Sequence, residues 1–178
     1  MICLNSIVLT ACKDILDEIE EDGELHENTQ EIIGVSFTID ITEVNLEKEE
    51  LYLRNYYGER YEKRYEDEKF HYEQIKYSLF HKIKEIKYFF NQDIENRKIV
   101  VFSQDCISLA QYIKRDEGTG LLVYMRSSDV KELLPLDILN LMRILRELNQ
   151  TFCPGEDLQE VLFVWIGSAH YYIDGGRE

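Results

Sequence analysis

A small set of residues in the second half of the chain has the types needed for covalent and anion chemistry. Cys106 becomes a nucleophile once its thiol ionises, and a neighbouring cation favours the thiolate. Arg126, 20 residues further on, can be that cation, and its planar fork also suits a phosphate. Ser127 adds a hydroxyl beside it, and Asp129 and Asp137 follow. An ionised carboxylate such as Asp137 only accepts hydrogen bonds, so it suits a partner that donates them, such as an exocyclic amine. His170 and Tyr172 stand two residues apart near the end of the last apolar run, and Arg97 and Lys98 form a basic pair upstream. Each has a plainer reading. Cys106 can be a buried strand cysteine. Arg97 can be a solvated residue before a strand. Asp129 can cap a turn, and Asp137 can be a first-turn acid favoured by the helix dipole. His170 and Tyr172 can pack on a strand rim.

The elements that must carry these residues follow from hydrophobic spacing. Helical periodicity predicts a helix over 10–21, with Thr10 as N-cap and Gly23 as its stop, a long amphipathic helix over 68–90, and a helix over 135–148 opened by Pro135. β-branched and aromatic runs predict strands over 32–41, 98–103, 107–114, 121–127 and 160–167. Residues 116–120 read as the turn of a hairpin. The tyrosines between residues 52 and 77 suit helix-face packing better than base stacking, and the acidic run over 17–22 suits a solvated helix face better than metal ligation. The mixture gives an α+β class, with a largely antiparallel or mixed sheet and helices packed on one face.

Composition narrows the function. The chain has 178 residues, enough for one domain spanning 1–178. Its formal charge of −15 repels polyanions, which argues against binding a nucleic-acid polymer or an anionic membrane surface, but not a single nucleotide gripped by a few arginines. No apolar run is long enough to span a bilayer. The four cysteines show no zinc-ligand or redox spacing, so reduced thiols and a cytoplasmic protein are expected, with no metal.

Residues 124–138 read YMRSSDVKELLPLDI. This resembles the phosphate- and base-binding motif of the thymidylate synthase family, roughly R-S-x-D-x-x-x-G-L-P-x-N-I. Arg126, Ser127, Asp129, Leu134, Pro135 and Ile138 match without a gap. Asp137 stands where thymidylate synthases carry Asn and where the deoxycytidylate hydroxymethylase branch carries Asp. The family's nucleophilic Cys also lies 20 residues before the motif Arg, and Trp165, Gly167, His170 and Tyr172 are similar to its later W-x-G-x-x-x-H-x-Y, one residue shorter. The resemblance is strongest over 97–172.

It implies a thymidylate synthase-like sheet and a homodimer. It also implies a C5 methyl- or hydroxymethyl-transferase acting on a pyrimidine nucleoside monophosphate, cytidylate in preference to uridylate, with 5,10-methylenetetrahydrofolate. The implied roles are Cys106 as nucleophile, Arg126 and Ser127 on the phosphate, and Arg97 and Lys98 on the partner's phosphate. Asp137 would read the base, His170 and Tyr172 the ribose, and Asp129 would face folate or cap a turn. The sequence departs from the pattern in places: the His that follows the family's Cys is Ile107, the motif Gly is Leu133, and Glu50 is the nearest match to the catalytic Glu. A non-catalytic nucleotide-binding or structural relative is the alternative.

Overall fold

Ser6 starts the first helix. Its hydroxyl accepts from Leu9 N at 3.1 Å and donates to the buried carboxylate of Glu49 at 2.6 Å, and that carboxylate also accepts from Val8 N. The helix dipole favours an anion at this end. Glu49 thus ties α1 (Ile7–Asp22) to α2 (Leu46–Tyr57) and moves the helix start ahead of the expected Thr10; Gly23 is the C-cap. In this computed structural model, residues 6–89 and 99–173 are described. Between the two helices lie β1 (Glu24–His26) and β2 (Thr29–Asp40). After α2, a 3-10 turn (Gly58–Arg60) leads into α3 (Tyr61–Lys84), which ends in a short π-helical turn (Glu85–Phe89). Then follow β3 (Val100–Phe102), β4 (Ile107–Arg115), β5 (Gly118–Asp129), α4 (Leu134–Phe152) and β6 (Gln159–Tyr172).

The long helix starts seven residues before the expected 68. Tyrosines replace aliphatic residues on its inner face: Tyr61 and Tyr72 are buried, and Tyr65 stacks on Tyr61 with ring centres 5.9 Å apart. The end expected at residue 90 lies outside the described residues.

The strands form one sheet in the order β1-β2-β6-β5-β4-β3. All neighbours are antiparallel except β5 and β6, which are parallel and joined by the α4 crossover. The helices cover one face, so the expected α+β class with a mixed sheet and one-sided helices is the observed one. On the other face Leu122, Phe163 and Trp165 are exposed, Trp165 by 52%.

Side-chain alternation changes phase along one row of this sheet. Buried residues run Leu121, Val123, Met125 and then Ser128 in β5, and Leu162, Val164, Ile166 and then Ala169 in β6. In β2, Ile33 is exposed between the core-packed Ile32 and Val35, and Gly34 takes a φ of 83°. Gly167 sits on the same row, where a Cβ would lie 2.7 Å from the carbonyl oxygen of Arg126, so only glycine allows this approach. The phase change turns Ser128 inward beneath the helices and leaves Arg126 and Ser127 at the break.

Candidate functional site

The break in β5 forms one wall of a cavity of about 250 Å³. The hairpin of β4 and β5 explains why Cys106 and Arg126 meet there. Arg115 pairs with Gly118 across a two-residue turn, an irregularity near Ser108 adds one residue, and Ile107 then pairs with Met125. Continued by one position, this register sets Cys106 opposite Arg126, and Arg126 N donates to the Cys106 carbonyl at 2.7 Å. The 20-residue spacing is thus a consequence of hairpin register. Cys106 is exposed, whereas Cys12 and Cys153 are buried. Just before it, Asp105 N donates to Ser103 Oγ at 3.2 Å and the Ser103 hydroxyl donates to Asp105 Oδ2 at 3.1 Å, which fixes the β3–β4 turn.

Helix α3 forms the opposite wall with Glu68, His71, Tyr72 and Ile75, at i, i+3, i+4 and i+7 and therefore on one helix face. His71 Nδ1 lies 3.0 Å from Asp105 Oδ2. The adjacent His71 ring is the main reason the Asp105 carboxyl is held below the ordinary carboxylate range.

The start of α4 closes the cavity with Leu133 and Asp137. Pro135 in the first turn needs no backbone donor. Asp129 Oδ1 accepts from Lys131 N and Glu132 N at 3.1 Å each, capping the turn before the helix. From the α2 end, Tyr57 OH donates to the Glu132 carbonyl at 3.0 Å and Arg60 pairs with the Glu132 carboxylate at 2.9 Å, so the loop entering α4 is held from both sides.

Asp137 is buried. Tyr72 OH donates to its Oδ1 and the Ser128 hydroxyl to its Oδ2 at 3.2 Å. Burial pushes its acid up to about 7, helped by the nearby Glu68 and Asp129 charges and opposed by the two hydroxyl hydrogen bonds. Near neutrality, a buried carboxyl in this wall therefore exchanges a proton.

Cys106, Arg126, Ser127 and Asp137 thus line one cavity. His170 and Tyr172 do not line it. They lie on β6, where His170 pairs with Asp129 in the parallel register, and their rings meet edge-on at 5.7 Å. Asp129 serves as the turn cap, the plainer of its two readings. Arg97 and Lys98 lie outside the described residues. Glu50, the nearest sequence match to a catalytic Glu, is instead held by Arg54 and Arg143. The carboxylate that reaches the cavity from this part of the chain is Glu68. Glu68 and His71 are the site residues that sequence reasoning missed; an acid and a histidine three apart on one helix face were the available signal. No group of three or more His, Cys, Asp or Glu among the described residues is placed to hold a metal ion.

The sequence matches no family model and no curated protein. Among solved structures, thymidylate synthase from T4 phage superposes with a TM-score of 0.61 at 17% identity, covering 93% of this chain and 77% of that one. At that identity the likeness is one of fold: this chain has a thymidylate synthase-like fold.

Proposed function

We propose that the cavity binds one pyrimidine nucleoside monophosphate, cytidylate in preference to uridylate, and that Cys106 adds to C6 of its ring to ready C5 for methyl or hydroxymethyl transfer. The observation that carries this reading is the convergence of Cys106, Arg126 and Asp137 on one cavity. Its volume of about 250 Å³ is close to the lower limit, ~300 Å³, of small-ligand pockets. It suits one ring with its substituents and not a polymer.

Arg126 and Ser127 would grip the phosphate, the guanidinium through its fork. Arg126 would also favour the thiolate of Cys106, its neighbour across the hairpin. As the S–C6 bond forms, the C5=C6 π bond breaks, and its electron pair passes to C5 and the adjoining C4 side. Asp137 would accept from the N4 amine of cytosine and share a proton with N3. Each of its oxygens has a second acceptor position beyond the hydroxyl it already holds. Against uracil, an ionised Asp137 would face the O4 acceptor and repel it. A second copy of the chain would be seated on the sheet face that exposes Leu122, Phe163 and Trp165, with Arg97 and Lys98 given to the partner's phosphate by the family resemblance alone.

In the family that the sequence resembles, methylenetetrahydrofolate supplies the one-carbon unit. The cavity is open on one side, so its volume bounds the nucleotide and not a second molecule stacked over it. The departures from the family pattern at Ile107, Leu133 and Glu50 favour a second reading, in which the protein binds the nucleotide without transferring a carbon.

The test needs no folate. Thiolate addition at C6 and its reversal exchange the C5 hydrogen with solvent. The expected outcome is that dCMP raises Tm more than dUMP does, and that dCMP in D₂O loses its C5 proton signal with wild type but not with Cys106→Ser. Stabilisation without exchange selects the non-catalytic reading. No stabilisation by any pyrimidine monophosphate refutes both.

A further inference from the structure

We infer that His71 takes the proton of the Cys106 thiol, with Asp105 as the residue that positions it; this rests on the reading of Cys106 as the nucleophile. The histidine that follows the family's cysteine is Ile107 here. A histidine nevertheless reaches the same cavity from α3. Its Nδ1 lies 3.0 Å from Asp105 Oδ2 as an ion-pair contact, out of line for a hydrogen bond, and a proton held on that side leaves Nε2 as the basic nitrogen of the ring. Asp105 is the residue next to Cys106 and is itself held by Ser103 in both directions, so the carboxylate that orients the ring is fixed to the backbone that carries the thiol. A nucleophile, a base and a third group that orients the base are the parts from which activated nucleophiles are built.

The charges around the pair fit such a transfer. Facing Cys106 and His71 are Glu68 and Tyr72 from α3, Asp105 from the β3–β4 turn, Arg126 from β5 and Asp137 from α4. Asp105 and Glu68 put carboxylates on the His71 side of the pair, and Arg126 puts a cation on the Cys106 side. The S–H bond breaks, its proton passes to Nε2, and its electron pair stays on Sγ. Cys106 is exposed, so a small electrophile reaches it, whereas Cys12 and Cys153 are buried.

The experiment is alkylation of the folded full-length protein by iodoacetamide between pH 5 and 9, with labelling at Cys106 read by peptide mass spectrometry. In this reaction an S–C bond forms and iodide leaves. The expected wild-type profile rises well below the ~8.5 of an ordinary thiol. His71→Gln should move the profile towards that value, slowing Cys106 labelling at least ten-fold at pH 6.5. Asp105→Asn should slow it about three-fold, because the ring remains but is no longer oriented. The buried Cys12 and Cys153 report folding, since they label only if a variant opens. An ordinary wild-type profile overturns the inference, whatever the variants do. Profiles of wild type and both variants that superimpose overturn it as well. Nucleotide stabilisation measured in parallel separates the two ideas. A His71-dependent profile with no nucleotide effect keeps this inference and removes the nucleotide, and stabilisation by dCMP with an ordinary profile does the reverse.

Discussion

The two ends of α4 bury polar side chains in opposite ways. At the C-terminal end, Arg146 donates to the Glu160 carboxylate at 2.9 and 3.0 Å and to the carbonyls of Val44 and Ile41. Asn149 bridges Thr119 and Glu160 at 2.7 and 2.8 Å and accepts from Tyr112 at 2.9 Å. Here a cation meets an anion, and the amide is satisfied on both sides. At the N-terminal end, the hydrogen bonds to Asp137 come from hydroxyls, and the charges acting on it from Glu68 and Asp129 are negative. The first arrangement is an ion pair completed by hydrogen bonds, and it holds the sheet to the helix. The second is comfortable only with a proton, and it sits in the wall of the cavity. An acid held this way destabilises the fold near neutrality, and that is a reason to look for its use in binding.

The largest expected effect breaks this contrast at its acidic end. Below the unfolded value of 3.8, both states hold the proton, and as pH rises towards about 7 only the folded state keeps it. Wild type should therefore lose about 4 kcal/mol over that window relative to Asp137→Asn, with no further divergence above it. Chemical denaturation of both proteins at pH 4, 6 and 8 measures this, and parallel curves would mean that folding leaves the Asp137 acid at its ordinary strength. The same variant should also move the dCMP to dUMP affinity ratio towards uracil, because the amide offers O4 a donor.

At the other end, Arg146→Ala leaves the Glu160 carboxylate without its cation and takes a donor from the Val44 and Ile41 carbonyls. It should cost about 2–4 kcal/mol, equally at pH 5 and pH 8. A loss that varies with pH there would erase the distinction between the two ends. The smallest effect concerns ligand alone: Arg126→Ala should weaken a nucleoside monophosphate by about 1.5–3 kcal/mol more than the nucleoside, by calorimetric titration. Equal losses would remove the phosphate role from Arg126.

Much of the sheet and of α4 was legible because their apolar residues are aliphatic and regularly spaced, as in Leu121, Val123 and Met125 or Ile138, Leu141 and Leu145. The spacing of Cys106 and Arg126 was legible too, since a hairpin register converts chain separation into proximity. The α3 wall was not. The helix expected over 68–90 already contains Glu68 and His71, but apolar spacing finds only the face that packs on the core, and nothing local shows that the neighbouring polar positions look onto Cys106, which comes from the β3–β4 turn more than 30 residues later. The start of α1 was missed for a different reason: its cap is completed by Glu49, 43 residues from Ser6, and no local pattern contains it.

The order of strands in the sheet also sets a schedule for making the protein. β2 and β6 are partners drawn from about 120–140 residues apart, so at ~5–20 residues per second β2 waits on the order of 6–28 s for its neighbour to be synthesised. β5 waits as well, because the strand that completes it from the other side is also β6. A ribosome that pauses before residue 159 therefore leaves two unpaired edges at once. The late strand, and not the early ones, decides whether a nascent chain closes its own sheet or finds another chain's.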